Sequence, residues 1–301
     1  MSDFIVFGGI NMDLFAYLPR SPEEGETIEA NSIEFFLGGK GANQAVALAR
    51  LGAKVNFVGT VGKDLFGRDL ESLIEREKVN IKNLSRKKGQ SGVALINVLK
   101  DGRNEVVAFP GINKNSKSKQ VSNKELETCS IVIGTMELED VETSDLFKRA
   151  KKNNCLTILN LAPYKEPSKN LLEQTDILVV NETEFLGLLS KVTRSVDIDF
   201  IDKNISSLKI PSHVNVVITL GDLGVIAYAN GKRKYYKSKK VKAIDTVGAG
   251  DCFVGALGFS FFKNPDIFSA VKFANSAASL SVTKKGAAKS MPSYDEVVNK
   301  L

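Results

Sequence analysis

Asp245-Thr246-Val247-Gly248-Ala249-Gly250-Asp251 runs directly into an apolar helical pattern at Phe253, Val254, Ala256 and Leu257. Three small residues let a backbone turn present successive N–H groups. The start of the following helix adds positive partial charge, so the pair suits phosphate oxygens. A carboxylate in the first turn can accept the proton of an attacking hydroxyl. The plainer alternative is a glycine turn with Asp251 as a helix cap. Two better-known phosphate loops do not fit. Phe253 stands where a dinucleotide-binding turn needs its third glycine, and no Gly-Lys-[Ser/Thr] follows.

Four more segments carry polar groups at places where a parallel α/β sheet would put a ligand. Gly38-Gly39-Lys40-Gly41-Ala42-Asn43-Gln44 opens a helical pattern with Ala42, Ala45, Val46 and Ala49 on one face. Its glycines permit close approach, and Lys40 and Asn43 can donate to oxygens. Gly8-Gly9-Ile10-Asn11-Met12-Asp13 ends the first apolar run, where Asn11 and Asp13 can hold vicinal hydroxyls. Asn181-Glu182-Thr183-Glu184 and Thr219-Leu220-Gly221-Asp222-Leu223-Gly224 follow two further apolar runs. Each of the four also reads as an ordinary turn or cap when taken alone.

Around these segments, short Val- and Ile-rich runs at 4–10, 55–61, 131–134, 157–161, 177–181, 214–220 and 225–229 read as strands. Several are continuously apolar, as strands covered on both faces are. Helical spacing at 42–51, 65–77, 144–152 and 182–189 separates them. The expectation is an α/β fold in which helices sandwich a parallel sheet. Segments 27–37 and 92–109 break that rhythm and read as antiparallel strands, the second turning at Asp101-Gly102. We assign them to a small β sheet that forms a lid, with strands drawn from about 14–37 and 91–110. From 249 onward the chain reads as helical, with breaks at Pro265 and Pro292. A single domain over 1–301 is expected.

Bulk composition excludes several other classes. The 301 residues are 43% hydrophobic and 25% charged, enough apolar material for a core without disulfides or a structural metal. Cys129, Cys155 and Cys252 are odd in number and form no Cys-x-x-Cys pair, which speaks against both frameworks. One histidine, His213, cannot build a histidine metal centre. No run approaches 18 apolar residues, and no basic region precedes the apolar start at Phe4. The expectation is a cytoplasmic protein with no membrane partner. Its net charge of +6 comes from lysine clusters such as 232–242, which lack aromatic interleaving, so no nucleic-acid partner is expected.

The two glycine segments, some 200 positions apart, together resemble the signatures of the ribokinase-like (PfkB) family of carbohydrate kinases. The resemblance extends from Gly8 to about Pro292 and includes the parallel sandwich with its β lid. It implies that Asp251 is the base and that Gly248, Ala249 and Gly250 form the anion hole. It places the sugar on Asn11, Asp13, Gly39, Lys40, Asn43, Glu139 and Asp251. Glu139 comes from Met136-Glu137-Leu138-Glu139, where relatives usually carry Gln-Leu-Glu. ATP would meet Asn181, Thr219, Gly221, Gly224, Gly250 and Asn275, with Glu184 influencing Mg²⁺. A K⁺ ion would lie among Asp245, Val247, Ser281, Lys284, Gly286 and Ser290, partly through backbone carbonyls. D-ribose, converted to ribose 5-phosphate, is the favoured substrate. A deoxyribose, a ketohexose or an adenosine-like nucleoside is the alternative, and a non-catalytic sensor on the same fold is a reading from another class. Pairing of lids into a homodimer is also implied.

Overall fold

Apolar side chains cover both faces of most strands in this chain, which is why those strands read as unbroken hydrophobic runs. The computed structural model describes residues 2–100, 104–191, 193 and 196–300. Its strands are β1 (Phe4–Phe7), β2 (Asn11–Leu18), β3 (Ser32–Gly38), β4 (Val55–Gly62), β5 (Asn80–Lys87), β6 (Gly92–Leu99) and β7 (Asn104–Phe109). They continue with β8 (Ile131–Thr135), β9 (Leu156–Asn160), β10 (Ile177–Asn181), β11 (Asn215–Thr219), β12 (Val225–Ala229) and β13 (Lys232–Tyr236). The helices are α1 (Lys40–Arg50), α2 (Leu65–Arg76), α3 (Asn123–Leu126), α4 (Asp140–Lys152), α5 (Lys169–Glu173) and α6 (Glu182–Leu188). After them come α7 (Ile198–Asn204), α8 (Ala249–Lys263), α9 (Ile267–Ser281), α10 (Ala287–Ser290) and α11 (Tyr294–Val298).

The large sheet has the order β13-β12-β11-β10-β9-β8-β1-β4-β5. It is parallel from β5 to β11 and antiparallel at β12 and β13. Residues alternate between its faces. Phe4 and Val6 of β1, with Ile177 and Val179 of β10, join α1, α2, α8 and α9 in one core. Ile5 and Phe7, with Leu178 and Val180, join α4, α5, α6 and α7 in the other. Two apolar faces need two helical layers, so a three-layer sandwich follows from the strand composition. No helix among the described residues is long and apolar enough to cross a membrane.

The strand order reverses at β1. From it the chain passes to β4 and β5 on one side and to β8, β9, β10 and β11 on the other. In open α/β sheets the crevice beyond the carboxyl ends of the strands at such a point receives ligands. A second sheet, in the order β3-β2-β6-β7, stands over this end. Its outer pairs are antiparallel and its central pair, β2 with β6, is parallel. Phe15, Ala94 and Ile96 on its inner face pack with Tyr17, Phe36 and Val247.

Several expected boundaries differ for physical reasons. Strand β1 stops at Phe7 because Gly8 and Gly9 turn the chain into the lid. Asn11 and Asp13 therefore belong to lid strand β2, not to a turn at the end of β1. In the stretch 27–37, strand pairing begins only at Ser32. Strand β5 was not foreseen: it is a polar edge strand, and its charged side chains hide the apolar signal. The helical tail breaks at Pro265 and Pro292 as expected. The Asp101-Gly102 turn lies outside the described residues.

Candidate active site

Helix α8 begins where Gly248 takes a left-handed conformation, φ 79° and ψ 0°. That conformation favours glycine, and a Cβ there would also meet Ala287 at 2.9 Å. The turn aims the first residues of α8 at the carboxyl ends of the strands. Asp251, in the first turn, is buried at 5% exposure. Asn43 Nδ2 donates to its Oδ2 at 2.9 Å and Gln44 Nε2 donates to its Oδ1 at 3.1 Å. Both donors lie on α1. They reach Asp251 because α1 and α8 pack closely at Gly255, where a Cβ would stand 2.7 Å from Ala47 Cβ and 2.9 Å from the Gln44 carbonyl oxygen.

With those amides turned to the carboxylate, Asn43 Oδ1 and Gln44 Oε1 are buried acceptors that receive no hydrogen bond from the described residues. Such groups are costly unless a ligand or water completes them. Burial raises the proton affinity of Asp251. Lys40 and the two amide donors oppose that shift, and Glu137 adds to it. A raised carboxylate is a better base for an alcohol than a free one.

Asp13 enters from the lid. Its carboxylate rests on Gly38, where any Cβ would fall 1.9 Å from Oδ2, so that glycine makes room for it. Burial pushes Asp13 from its ordinary 3.8 up to about 8, with Glu137 and Asp251 reinforcing the shift and Lys40 opposing it. Lys40 is the cation that these acidic groups share. Asp251 most strongly, then Glu137, Glu184 and Asp13, raise its hold on a proton against the cost of burial. Asn11 is tied to the same corner, since Asn113 Nδ2 donates to its Oδ1 at 2.8 Å.

A cavity of about 60 Å³ adjoins Asp251, lined among others by Lys40, Asn160, Asn181, Glu184, Thr219 and Gly250. It lies at the ends of β9, β10 and β11. Asn181 caps α6 reciprocally: its Oδ1 accepts from Glu184 N at 2.9 Å, and Glu184 Oε2 accepts from Asn181 N at 2.8 Å. Burial raises the proton affinity of Glu184. Gly221 and Gly224 shape the turn after β11, both with positive φ. Asn275 sits half-buried on α9, and its Nδ2 donates to the Lys237 carbonyl at 3.0 Å. It does not line this cavity. Ala249 N donates to Thr246 O at 3.3 Å, a long bond that a phosphate oxygen could replace.

Asp245 joins two distant segments beneath the turn. Its Oδ1 accepts from Val247 N at 2.9 Å and its Oδ2 from Gly286 N at 2.8 Å. Ser281 Oγ donates to Ala278 O and Ser290 Oγ to Ala287 O. The Lys284 ammonium pairs with Glu296 at 2.6 Å, so only its backbone carbonyl remains for a site near Asp245.

Glu139 is exposed at the N-cap of α4. The carboxylate that faces the cleft from this strand end is Glu137. In the sequence this residue stands out only as a departure from Gln-Leu-Glu. Gln44 and Asn160 were also not singled out, although Gln44 Nε2 bridges Asp251 and Asn160 Oδ1 at 3.0 Å. Gln44 was within the quoted glycine segment; Asn160, at the end of an apolar run, carried no distinguishing pattern.

The family described as "pfkB family carbohydrate kinase" matches residues 1–294. The ribokinase of Schizosaccharomyces pombe is 35% identical to this chain, over 99% of it and 97% of the relative. The ribokinase of Haemophilus influenzae is 33% identical over 98% and 97%. Among solved structures, the Arabidopsis thaliana ribokinase complexed with ribose and ATP superimposes with a TM-score of 0.86 at 28% identity, covering 99% of this chain and 98% of that one.

Proposed function

The chain belongs to the pfkB family of carbohydrate kinases, and on that premise we propose that it transfers the γ-phosphoryl group of ATP to the terminal hydroxyl of D-ribose, giving ribose 5-phosphate. One observation carries the reading at the level of the site. Asp251 lies in the first turn of a helix start suited to phosphate, lines the cavity at the ends of β9, β10 and β11, and is held by Asn43 and Gln44, whose amide oxygens are buried acceptors with no hydrogen bond from the described residues.

Sugar hydroxyls would donate to Asn43 Oδ1, Gln44 Oε1 and Asp13, with Lys40 and Asn11 as donors. Gly39 supplies the turn beneath them. Glu139, exposed at the N-cap of α4, would be a further contact of the sugar. ATP would enter along Asn181, Thr219, Gly221 and Gly224, with Asn275 near its outer end. Its γ-phosphoryl oxygens would meet the amides of Gly248, Ala249 and Gly250. Asp251, oriented by its two amide donors, accepts the hydroxyl proton as the oxygen attacks in line. Positioning and the anion hole supply most of the acceleration. The lid, anchored to the sugar site through Asp13, excludes water as it closes.

Two ions fit the residues present. Mg²⁺ is commonly held by one or two carboxylates together with substrate phosphates, and Glu184 on the cavity wall suits that arrangement. Asp245 with Ser281, Ser290 and the carbonyls of Val247, Lys284 and Gly286 offers hard oxygens and one formal charge, a donor set suited to K⁺. When bound, the two ions would offset phosphate charge and add a positive field beside the anion hole.

The homodimer reading draws support from the lid's outer face. Phe35, Leu14, Leu95 and Val107 form one cross-strand row. Ile33, Phe35, Leu95, Val107 and Phe109 are each about half exposed or more. A second copy of that face would cover them.

An ADP-release assay over ribose, deoxyribose, fructose and adenosine, with and without K⁺, tests the proposal. Ribose should turn over fastest, and K⁺ should raise the rate. Turnover of a hexose or nucleoside with none for ribose would overturn it.

A further inference from the structure

We infer that Glu137 is a positioning residue of the sugar site, a fixed anion that clamps the end of β1 to the start of α1 and so sets where Lys40 and Asn43 stand. The inference rests on the sugar-kinase reading above and adds a residue to it.

At the start of α1, the backbone N–H groups of Lys40, Gly41 and Ala42 are met from outside the helix. An α-helix leaves its first four N–H groups without partners inside it. At α1 the N-cap is Gly39, which has no side chain to supply one. Glu137, 97 and 96 positions away, does so instead: Oε1 accepts from Lys40 N at 2.9 Å and Oε2 from Gly41 N at 3.1 Å. Ala42 N donates to Gly9 O at 3.0 Å, and Asn43 N makes the first bond within the helix, to Gly39 O at 2.9 Å. Glu137 Oε2 also accepts from Gly9 N at 2.8 Å and from Thr135 Oγ1 at 3.0 Å. Gly9 is thereby tied to α1 through its N–H, by way of Glu137, and directly through its carbonyl. A Cβ on Gly9 would stand 2.7–2.8 Å from the Glu137 carboxylate, so the two positions share one volume.

Every group that meets this side chain is a donor, and three are backbone amides that cannot reverse. An amide side chain in its place would turn an N–H toward Lys40 N–H or toward those of Gly9 and Gly41. A carboxylate is therefore the matching group. Because Glu137 fills the positive end of α1, that helix offers the ligand side chains, while the start of α8 remains for phosphate. Its charge also bears on the reaction. Asp13 is faced by Glu137, Asp251 and Lys40, and Asp251 by Lys40, Glu137 and the amides of Asn43 and Gln44. Glu184 interacts with both Lys40 and Asp251. In this group Glu137 favours protonation of Asp13 and Asp251.

The test compares E137Q and E137D with the parent. E137Q should raise the ribose KM by about 10-fold or more, the order expected for losing charge-assisted hydrogen bonds, with the ATP KM unchanged. The acid limb of its kcat/KM profile should move to lower pH, because a negative charge beside two carboxylates is gone. E137D keeps the charge on a shorter stem, so its limb should stay in place while the ribose KM rises. An unchanged ribose KM in E137Q, or an unmoved limb, overturns the inference. If E137Q does not fold, an E137D ribose KM equal to the parent's does the same. Hydrogen exchange separates this from failure of the kinase reading. Faster exchange at Gly9, Lys40 and Gly41 in either variant supports the clamp even if no sugar turns over, and parent-like exchange refutes it.

Discussion

Asn43 Nδ2 donates to Asp251 Oδ2 at 2.9 Å, joining two helices whose sequence positions differ by 208. That bond fixes both partners. It orients the Asp251 carboxylate, and it leaves Asn43 Oδ1 a buried acceptor with no hydrogen bond from the described residues. Asp251→Asn should therefore lower kcat by about 10²–10⁴-fold, the usual contribution of a general base, with ATP affinity unchanged. Pre-steady-state turnover alongside nucleotide titration calorimetry would check it. Turnover near that of the parent removes Asp251 from the role.

The shifted carboxylates set a pH dependence. Asp13, held up to about 8, is largely protonated in the ligand-free protein at neutral pH. If its ionised form binds the sugar, kcat/KM for ribose should climb through the neutral range toward about pH 8, above the range of an ordinary carboxylate. The limb for Lys40→Met should lie higher still, since Lys40 lowers the pKa of both Asp13 and Asp251.

The same shift acts on stability with a definite sign. The folded chain holds a proton on Asp13 between its ordinary 3.8 and about 8, where the unfolded chain has released it. The stabilisation is fully present below that window and is lost as pH rises through 8. Melting temperature should therefore fall between pH 6 and pH 9. Asp13→Asn should flatten that slope, as scanning calorimetry at the two pH values would show.

The contact between α1 and α8 is a second lever. Gly255→Val inserts atoms where even a Cβ meets Ala47 Cβ at 2.7 Å. We expect a stability loss of about 1–3 kcal/mol, the usual cost of overpacking. The kcat/KM should fall as well, because Asn43 and Gln44 shift relative to Asp251. A denaturant titration and an assay of the same sample separate the two effects.

At the lid, Phe35→Lys places a charge at the β3 end of the row that continues through Leu14, Leu95 and Val107. Light scattering should read a dimer mass for the parent and half that mass for the variant. A monomeric parent would sink the lid pairing.

Asp245→Ala tests the ion site. The carboxylate bridges Val247 N and Gly286 N, so its loss unties the two segments that would surround K⁺. Stimulation of turnover by K⁺ should disappear, while basal turnover in Na⁺ falls less.

Local patterning is enough to establish the layered core and the glycine turn that opens α8. Alternating faces of Val, Ile and Phe in β1 and β10 demand helices on both sides of a sheet, and the pattern is local. Gly248-Ala249-Gly250-Asp251 is likewise a local statement, since small residues before a helix start are read along the chain. The polar edge strand β5 escaped because edge strands carry charge in place of an apolar signature. The tertiary structure alone decided which groups meet. Asp13 reaches the cleft from a lid strand, Gln44 crosses to Asp251, and Glu137 closes the end of α1. The reason is physical. Hydrogen bonds and charge–charge shifts depend on distances of a few ångströms between segments far apart in the chain, 97 positions for Glu137 and Lys40 and 207 for Gln44 and Asp251, and those distances exist only once the two helical layers have packed on the sheet.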